Sequence, residues 1–189
     1  MKVLAINASP RTTGNTASLV DKALEGAGSK GAGIKRIDLA GMRIRPLTED
    51  DYTVSFDAVR SDVSDDLAYL IEEMSSSDVL MIASPIFFGS LTGQLKTMID
   101  RFQFAWREKN TQLREIFPKR KRGAFISVQA QDRSDFFGNA SSIVRHFFAT
   151  VNVSYDAELF FGELEAEGDA VCKDEYMEKA FRLGQSLAG

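Results

Sequence analysis

Five short apolar runs recur along the chain, separated by stretches whose apolar residues fall three and four positions apart. Lys2 to Asn7 is the first, rich in β-formers and closed by a polar, proline-containing turn, the pattern of a strand buried on both faces. From Thr16 onward Leu19, Val20, Ala23 and Leu24 take helical spacing, and the glycines from Gly26 predict that helix's end. Ile34 to Leu39 alternates and predicts a strand with one less buried side, while Val79 to Ala83 is solidly apolar and predicts a central one. Gly123 to Val128 and Val153 to Phe161 predict the fourth and fifth strands. Helices are predicted over Asp62 to Met74 through Val63, Leu67, Leu70 and Ile71, and over Gly93 to Phe104 through Leu95, Met98, Ile99 and Phe102. The second has a polar extension through Trp106 to Phe117. Ala140 to Thr150 and Lys173 to Leu187 complete the helical set. Ala40 to Ser61 alone loses periodicity, and so long a loop in a compact domain is functional or holds unrecognised structure.

Strand and helix thus alternate five times, which predicts an α/β protein with a parallel sheet and helices on both faces, because parallel strands need crossover connections. At 189 residues, 44% of them hydrophobic, the chain suits one domain over residues 1–189. No window approaches the roughly 18 apolar residues of a membrane span, and Met1 to Asn7 opens as a strand instead of a signal peptide. The expectation is a cytoplasmic protein that does not engage a membrane. The net charge of −4, from 27 acidic and 23 basic residues, carries no nucleic-acid footprint. One cysteine, Cys172, excludes an intrachain disulfide and a thiolate metal cluster, and no metal site is expected. Lys119 to Arg122 reads as a solvated turn, and His146, within an apolar helical stretch, as a core or interface residue. These features point to a small ligand.

In an open parallel sheet, ligands bind beyond the carboxyl ends of the strands. The turn after the first strand lies there. Ser9, Thr13 and Thr16 offer hydroxyls, Asn15 an amide, and Gly14 lets the backbone approach closely. The helix start adds free N–H groups and a favourable dipole, and Arg11 a charge-assisted contact, so the loop suits a phosphate monoester. An ordinary capped helix start is the competing explanation. No Gly-Lys-Ser or Gly-Lys-Thr ending is present, which excludes a P-loop. Gly26 to Gly31 matches G-x-G-x-x-G but follows a helix and precedes a strand, the wrong context for a dinucleotide, and reads as a helix stop and turn.

The third strand runs into Ser84-Pro85-Ile86-Phe87-Phe88-Gly89, then Ser90 to Lys96 and Asp100-Arg101. Pro85, Ile86, Phe87, Phe88 and Gly89 could seat a planar heteroaromatic ring, with backbone N–H groups facing its polar edge. Taken with Ala8 to Thr16, this stretch resembles the NADPH-dependent FMN reductase and iron-sulfur flavoprotein branch of the flavodoxin-like superfamily. The resemblance implies a flavodoxin-like three-layer α/β/α sandwich with a five-stranded sheet of order 2-1-3-4-5 and FMN across its strand ends. By position it implies Ser9, Arg11, Asn15 and Thr16 as phosphate ligands supported by Thr13 and Gly14, and Pro85 to Gly89 as the isoalloxazine loop. Asp100 and Arg101 are expected to be structural or interface residues. A homodimer or homotetramer is also implied.

The chain departs from that pattern twice. The segment where the iron-sulfur flavoproteins carry a compact cysteine motif has no cysteine here, so no cluster is expected. Pro46 to Asp51 is instead expected to form a cap near the flavin. A glycine pair common after the fourth strand is replaced by Gln129-Ala130-Gln131, of which Gln129 and Gln131 can hydrogen-bond the ring. With FMN bound, the flavin carries the chemistry and no catalytic side chain is required. The expected function is an FMN-dependent NAD(P)H oxidoreductase passing electrons to a small acceptor such as a quinone, a flavin or a nitro compound. Trp106, Phe102 and Phe104 are candidates for the acceptor pocket or a dimer contact. A flavodoxin-type electron carrier is the alternative, disfavoured by the balanced charge and by Arg11.

Overall fold

The computed structural model describes all residues from Met1 to Gly189. Five parallel strands, β1 (Lys2–Asn7), β2 (Gly33–Asp38), β3 (Val79–Pro85), β4 (Lys121–Val128) and β5 (Val153–Phe161), form one sheet of order 2-1-3-4-5. Alternation along the central strands sorts their side chains into two cores. Val3, Ala5, Val79, Met81, Ala83, Ala124 and Ile126 face α1 (Asn15–Gly28) and α7 (Asp174–Ala188). Leu4, Ile6, Leu80, Ile82 and Phe125 face the opposite layer, built from α3 (Leu67–Ser76), α4 (Gly93–Arg101), α5 (Gln103–Thr111) and α6 (Ser134–Thr150). The flavodoxin-like three-layer architecture and its strand order are as expected.

The first helix ends within the Gly26–Gly31 run as expected, at Gly28, with Gly31 at φ 80° in the turn that follows, but Gly26 itself is still helical. A Cβ on Gly26 would lie 2.0 Å from the carbonyl oxygen of Phe181, and one on Gly184 would lie 1.7 Å from that of Ala23. The two glycines therefore let the backbones of α1 and α7 touch, and no fixed-geometry turn is involved. This contact anchors α1, whose first turn begins the loop after β1.

The segment from Ala40 to Ser61 is ordered by short helices: 3-10 turns at Leu39–Gly41 and Glu49–Tyr52, then α2 (Phe56–Ser61). Elements this short show no period, which is why the sequence pattern missed them. Three arginines fasten the strap. Arg45 grips Asp51 with Nη1 at 2.6 Å and Nη2 at 2.7 Å. The buried Arg101 pairs with the buried Asp65 and donates to the Arg45 carbonyl at 3.2 Å, while Arg107 donates to the carbonyls of Tyr52 and Val54. Arg101 is thus structural, as expected.

Other boundaries shift. The third helix starts at Leu67, not Asp62, and Val63 is 92% exposed, outside the core assigned to it. The predicted helix after β3 breaks at Phe102 into α4 and α5 and ends at Thr111, with Phe117 buried beyond it. The sixth begins at Ser134, because Phe136 and Phe137 add a turn of apolar packing before Ala140. Lys121 is not solvated: it opens β4 and is buried, with its Nζ 3.4 Å and 3.5 Å from two carbonyl oxygens, while Lys119 and Arg122 pair with Asp78 and Asp156. His146 lies on the exposed face of α6 and belongs to no core. No helix is long and apolar enough to cross a membrane.

Candidate functional site

The loop from Ala8 to Gly14 is wound by two successive side-chain turns. Asn7 Oδ1 accepts the Ser9 N–H at 3.2 Å, and Ser9 Oγ accepts the Arg11 N–H at 3.1 Å. Each turn consumes one amide, and the Ser9 hydroxyl keeps its own hydrogen for a ligand. α1 then begins with Gly14 at its N-cap and no side chain capping it. The amides of Asn15, Thr16 and Ala17 have no acceptor within the chain. An ordinary capped helix start is therefore excluded, and the geometry is that of an anion site. Arg11 stands exposed at its rim, its side chain over Gly14, where a Cβ would meet Arg11 Cβ at 3.2 Å.

Two of the predicted phosphate residues are engaged elsewhere. Asn15 Nδ2 donates to the Ala166 carbonyl at 2.8 Å and its Oδ1 accepts the Ala170 N–H at 3.1 Å. The Thr13 hydroxyl donates to Glu167 at 3.3 Å. Both side chains tie the loop to the connection after β5, so their contribution to an anion is the backbone N–H. The sequence reading missed that connection, which carries neither a periodic pattern nor a motif.

The second loop leaves β3 at Pro85, and the Ile86 N–H is held by the Val128 carbonyl at 2.8 Å. Phe87 and Ser90 then exchange backbone hydrogen bonds of 2.9 Å and 3.1 Å around a tight turn, with Phe88 at φ 52° and Gly89 at φ 74°. A left-handed phenylalanine is strained, and Phe88 projects fully into solvent. Asn139 Nδ2 fixes the turn through the Gly89 carbonyl at 2.7 Å, and a Cβ on Gly89 would press on the Phe136 ring at 3.2 Å.

Between these loops runs a cleft of about 330 Å³, with Ser9, Arg11, Gly14, Asn15 and Thr16 at one end and Pro85, Ile86, Phe87 and Gln129 at the other. A second hollow of about 170 Å³ adjoins it through Ile86 and Gln129, and takes in Phe88, Gly89 and Gln131. The structure thus brings the two loops together, and of the predicted site residues Thr13 alone lines neither hollow. Leu164 and Glu165 form a wall the sequence did not reveal, and Glu165 brings a carboxylate that Arg11 and the loop amides must outweigh.

Gln129 is the most informative side chain in the cleft. It is 5% exposed, and its Nε2 donates to the Arg133 carbonyl at 3.0 Å, which fixes the orientation of the amide. Its Oε1 is buried without a donor. A buried acceptor left unpaired costs about 1–3 kcal/mol, and the residue that carries it lines both hollows, so a ligand N–H reaching it from the cleft would satisfy it. The cleft therefore combines anion donors at one end with flat apolar surface and an orphan acceptor at the other. That donor set fits FMN, with its phosphate, planar ring and polar pyrimidine edge. An iron-sulfur cluster does not fit: the single cysteine, Cys172, is exposed, and no group of three or more metal-ligating side chains exists.

Phe102 and Phe104 are core residues, packed among Phe56, Phe117 and Phe147, and neither lines the cleft. Trp106 is half exposed beside His146 in a separate groove between α5 and α6.

The family described as NADPH-dependent FMN reductase matches residues 1–153. An iron-sulfur flavoprotein of Methanocaldococcus jannaschii is 32% identical over 101 residues, covering 53% of this chain and 51% of that protein. A putative NAD(P)H-dependent FMN-containing oxidoreductase of Bacillus subtilis is 32% identical over 108 residues, covering 57% and 55%. The chain spans about half the length of these relatives. Among solved structures, an NAD(P)H:quinone oxidoreductase from Methanothermobacter marburgensis superposes with a TM-score of 0.72 at 18% identity, covering 99% of this chain and 98% of that one. At that identity the likeness establishes the fold alone.

Proposed function

The chain belongs to the NADPH-dependent FMN reductase family, and from that premise we propose that it binds FMN in the cleft between the two loops and oxidises NAD(P)H, passing the electrons to a small acceptor. The observation that carries the reading is the meeting, in one cleft, of an uncapped helix N-terminus with Gln129, whose buried Oε1 has no donor within the chain. Bound FMN supplies the hydride and electron chemistry. The chain's own residues bind and orient it. The free amides of the α1 start, the Ser9 hydroxyl and Arg11 hold the phosphate; Pro85 to Phe87 give the ring a flat wall; and Gln129 accepts from its polar edge. Gln131, exposed beyond Ala130, lies in the adjoining hollow, where it can hydrogen-bond the ring margin or the acceptor.

The expected acceptors are quinones, free flavins and nitro compounds, chosen by what enters beside Phe88. A homodimer or homotetramer suits the exposed Phe87 and Phe88 at the cleft mouth, and gel filtration tests it.

Titration of the purified protein with FMN and riboflavin, followed by anaerobic addition of NADPH, tests the reading. Tight FMN binding and rapid bleaching without a partner reductase are expected. Arg11→Ala should weaken FMN roughly tenfold or more and leave riboflavin nearly unchanged, since a charge-assisted contact to phosphate contributes about 1.5–3 kcal/mol. A protein that takes up no FMN would end the proposal, and a bound flavin that NADPH does not reduce would leave an electron carrier.

A further inference from the structure

We propose that Arg36 and Asn7, neither of which lines the cleft, are positioning residues that hold the phosphate loop in its anion-binding shape and so determine preference for a phosphorylated flavin. The inference rests on the FMN reading above.

Asn7 is the last residue of β1 and is fully buried, yet both ends of its amide are used. Its Oδ1 takes the Ser9 N–H, which starts the first turn of the loop, and its Nδ2 donates to Asp38 Oδ1 at 2.7 Å, at the end of the neighbouring strand. Asp38 is held in turn by Arg36, through Nη2 at 3.0 Å and Nε at 3.3 Å. The same Nη2 donates to the Thr12 carbonyl at 3.0 Å, and Nη1 meets both oxygens of Asp21 on α1 at 2.6 Å. One guanidinium therefore joins three pieces: the end of β2, the middle of the phosphate loop and the second turn of α1.

The charges say what kind of role this is. Arg36 at +1 faces Asp21 and Asp38 at −2 in all, so the cluster is net −1 and Arg36 cannot serve as the phosphate's cation. Its effect is geometric. By holding the Thr12 carbonyl and setting Asn7 beneath Ser9, the network fixes the loop that leads into the unpaired amides of Asn15, Thr16 and Ala17. Only Arg presents a fork that reaches a carbonyl and two carboxylates at once. The signal is invisible in sequence, because Asn7, Thr12, Asp21, Arg36 and Asp38 meet only when β1 and β2 pair.

The test compares FMN and riboflavin affinity of the unloaded protein, by flavin fluorescence quenching, in wild type, Arg36→Met, Arg36→Met/Asp38→Asn and Asn7→Ala. The double variant keeps the cluster's net charge at −1, so it separates loss of the clamp from added repulsion. The expected result is at least a tenfold loss of FMN affinity in Arg36→Met and in the double variant, with riboflavin affinity changed less than threefold. Urea unfolding of the ligand-free variants shows whether each is folded. Asn7→Ala is the variant most exposed to misfolding, so the two Arg36 variants decide the matter. Retained FMN preference in both, or equal loss of FMN and riboflavin, overturns the positioning role. Loss in Arg36→Met that the double variant restores also overturns it, since charge alone would then be the cause. A wild-type protein that shows no preference for FMN over riboflavin fails at an earlier step, and it removes the phosphate site together with this inference.

Discussion

Replacing Gln129 with methionine separates what the cleft does for the fold from what it does for the cofactor. In the ligand-free protein Gln129 makes one side-chain hydrogen bond, to the Arg133 carbonyl at 3.0 Å, and keeps one buried oxygen unpaired. Losing the bond costs about 1 kcal/mol, while removing a buried unpaired acceptor returns about 1–3 kcal/mol. Methionine has nearly the same length and shape, so no cavity is added. The net is neutral to about 2 kcal/mol stabilising, so unliganded Gln129→Met should unfold no earlier than wild type, and up to ~8 °C later for a chain of this size. On the proposed reading the acceptor pairs with a ring N–H in the loaded protein, and its loss should cost about 1–2 kcal/mol, a roughly 5- to 30-fold rise in Kd. Because riboflavin carries the same ring, its affinity should fall by the same factor, unlike the phosphate-selective effect of Arg11→Ala. Thermal unfolding of the apo form and paired titrations with FMN and riboflavin measure all three quantities. A variant that is more than 2 kcal/mol less stable without flavin, yet binds FMN like wild type, would refute the reasoning.

Three further perturbations address other parts of the molecule. Gly184→Ala places a methyl 1.7 Å from the Ala23 carbonyl oxygen, so α1 and α7 must separate; a loss of about 3 kcal/mol in urea unfolding is expected. Phe88→Asn removes a bulky residue from φ 52° and supplies the Asn-Gly pair this turn favours. It should raise stability by about 1 kcal/mol while lowering turnover, because the apolar surface at the cleft mouth is lost; unchanged turnover would show that the strain has no part in function. Asp51 is held well below the ordinary carboxylate value of 3.8, chiefly by the Arg45 fork and also by the N–H and hydroxyl of Thr48, against an opposing effect of burial. A depressed folded-state pKa means that its stabilisation is complete above about pH 4 and is lost as pH falls further. Asp51→Asn should therefore be less stable at neutral pH and show a flatter acid-unfolding slope below pH 4, followed by near-UV circular dichroism.

What the sequence determined by itself is local or repeated: five strands, the helical faces between them, and two motifs placed at the ends of β1 and β3. Hydrophobic period and turn chemistry act within a few residues, so Lys2 to Asn7 and Val79 to Pro85 could be recognised without any knowledge of their neighbours. Strand order and the cofactor came from motif resemblance, since period says nothing about which strands pair. Tertiary structure decided whatever depends on distant residues meeting. Gly26 reads as a helix stop until α7 brings the Phe181 carbonyl against it. Lys121 reads as one more surface charge until the strand it opens is buried between β3 and β5. Asn15 and Thr13 read as phosphate donors, but the connection after β5 claims their side chains and leaves the backbone to do that work. The unpaired oxygen of Gln129 belongs to the same class. A residue type announces its hydrogen-bonding capacity, but only the folded chain shows which part of that capacity is left unused at the wall of a cleft.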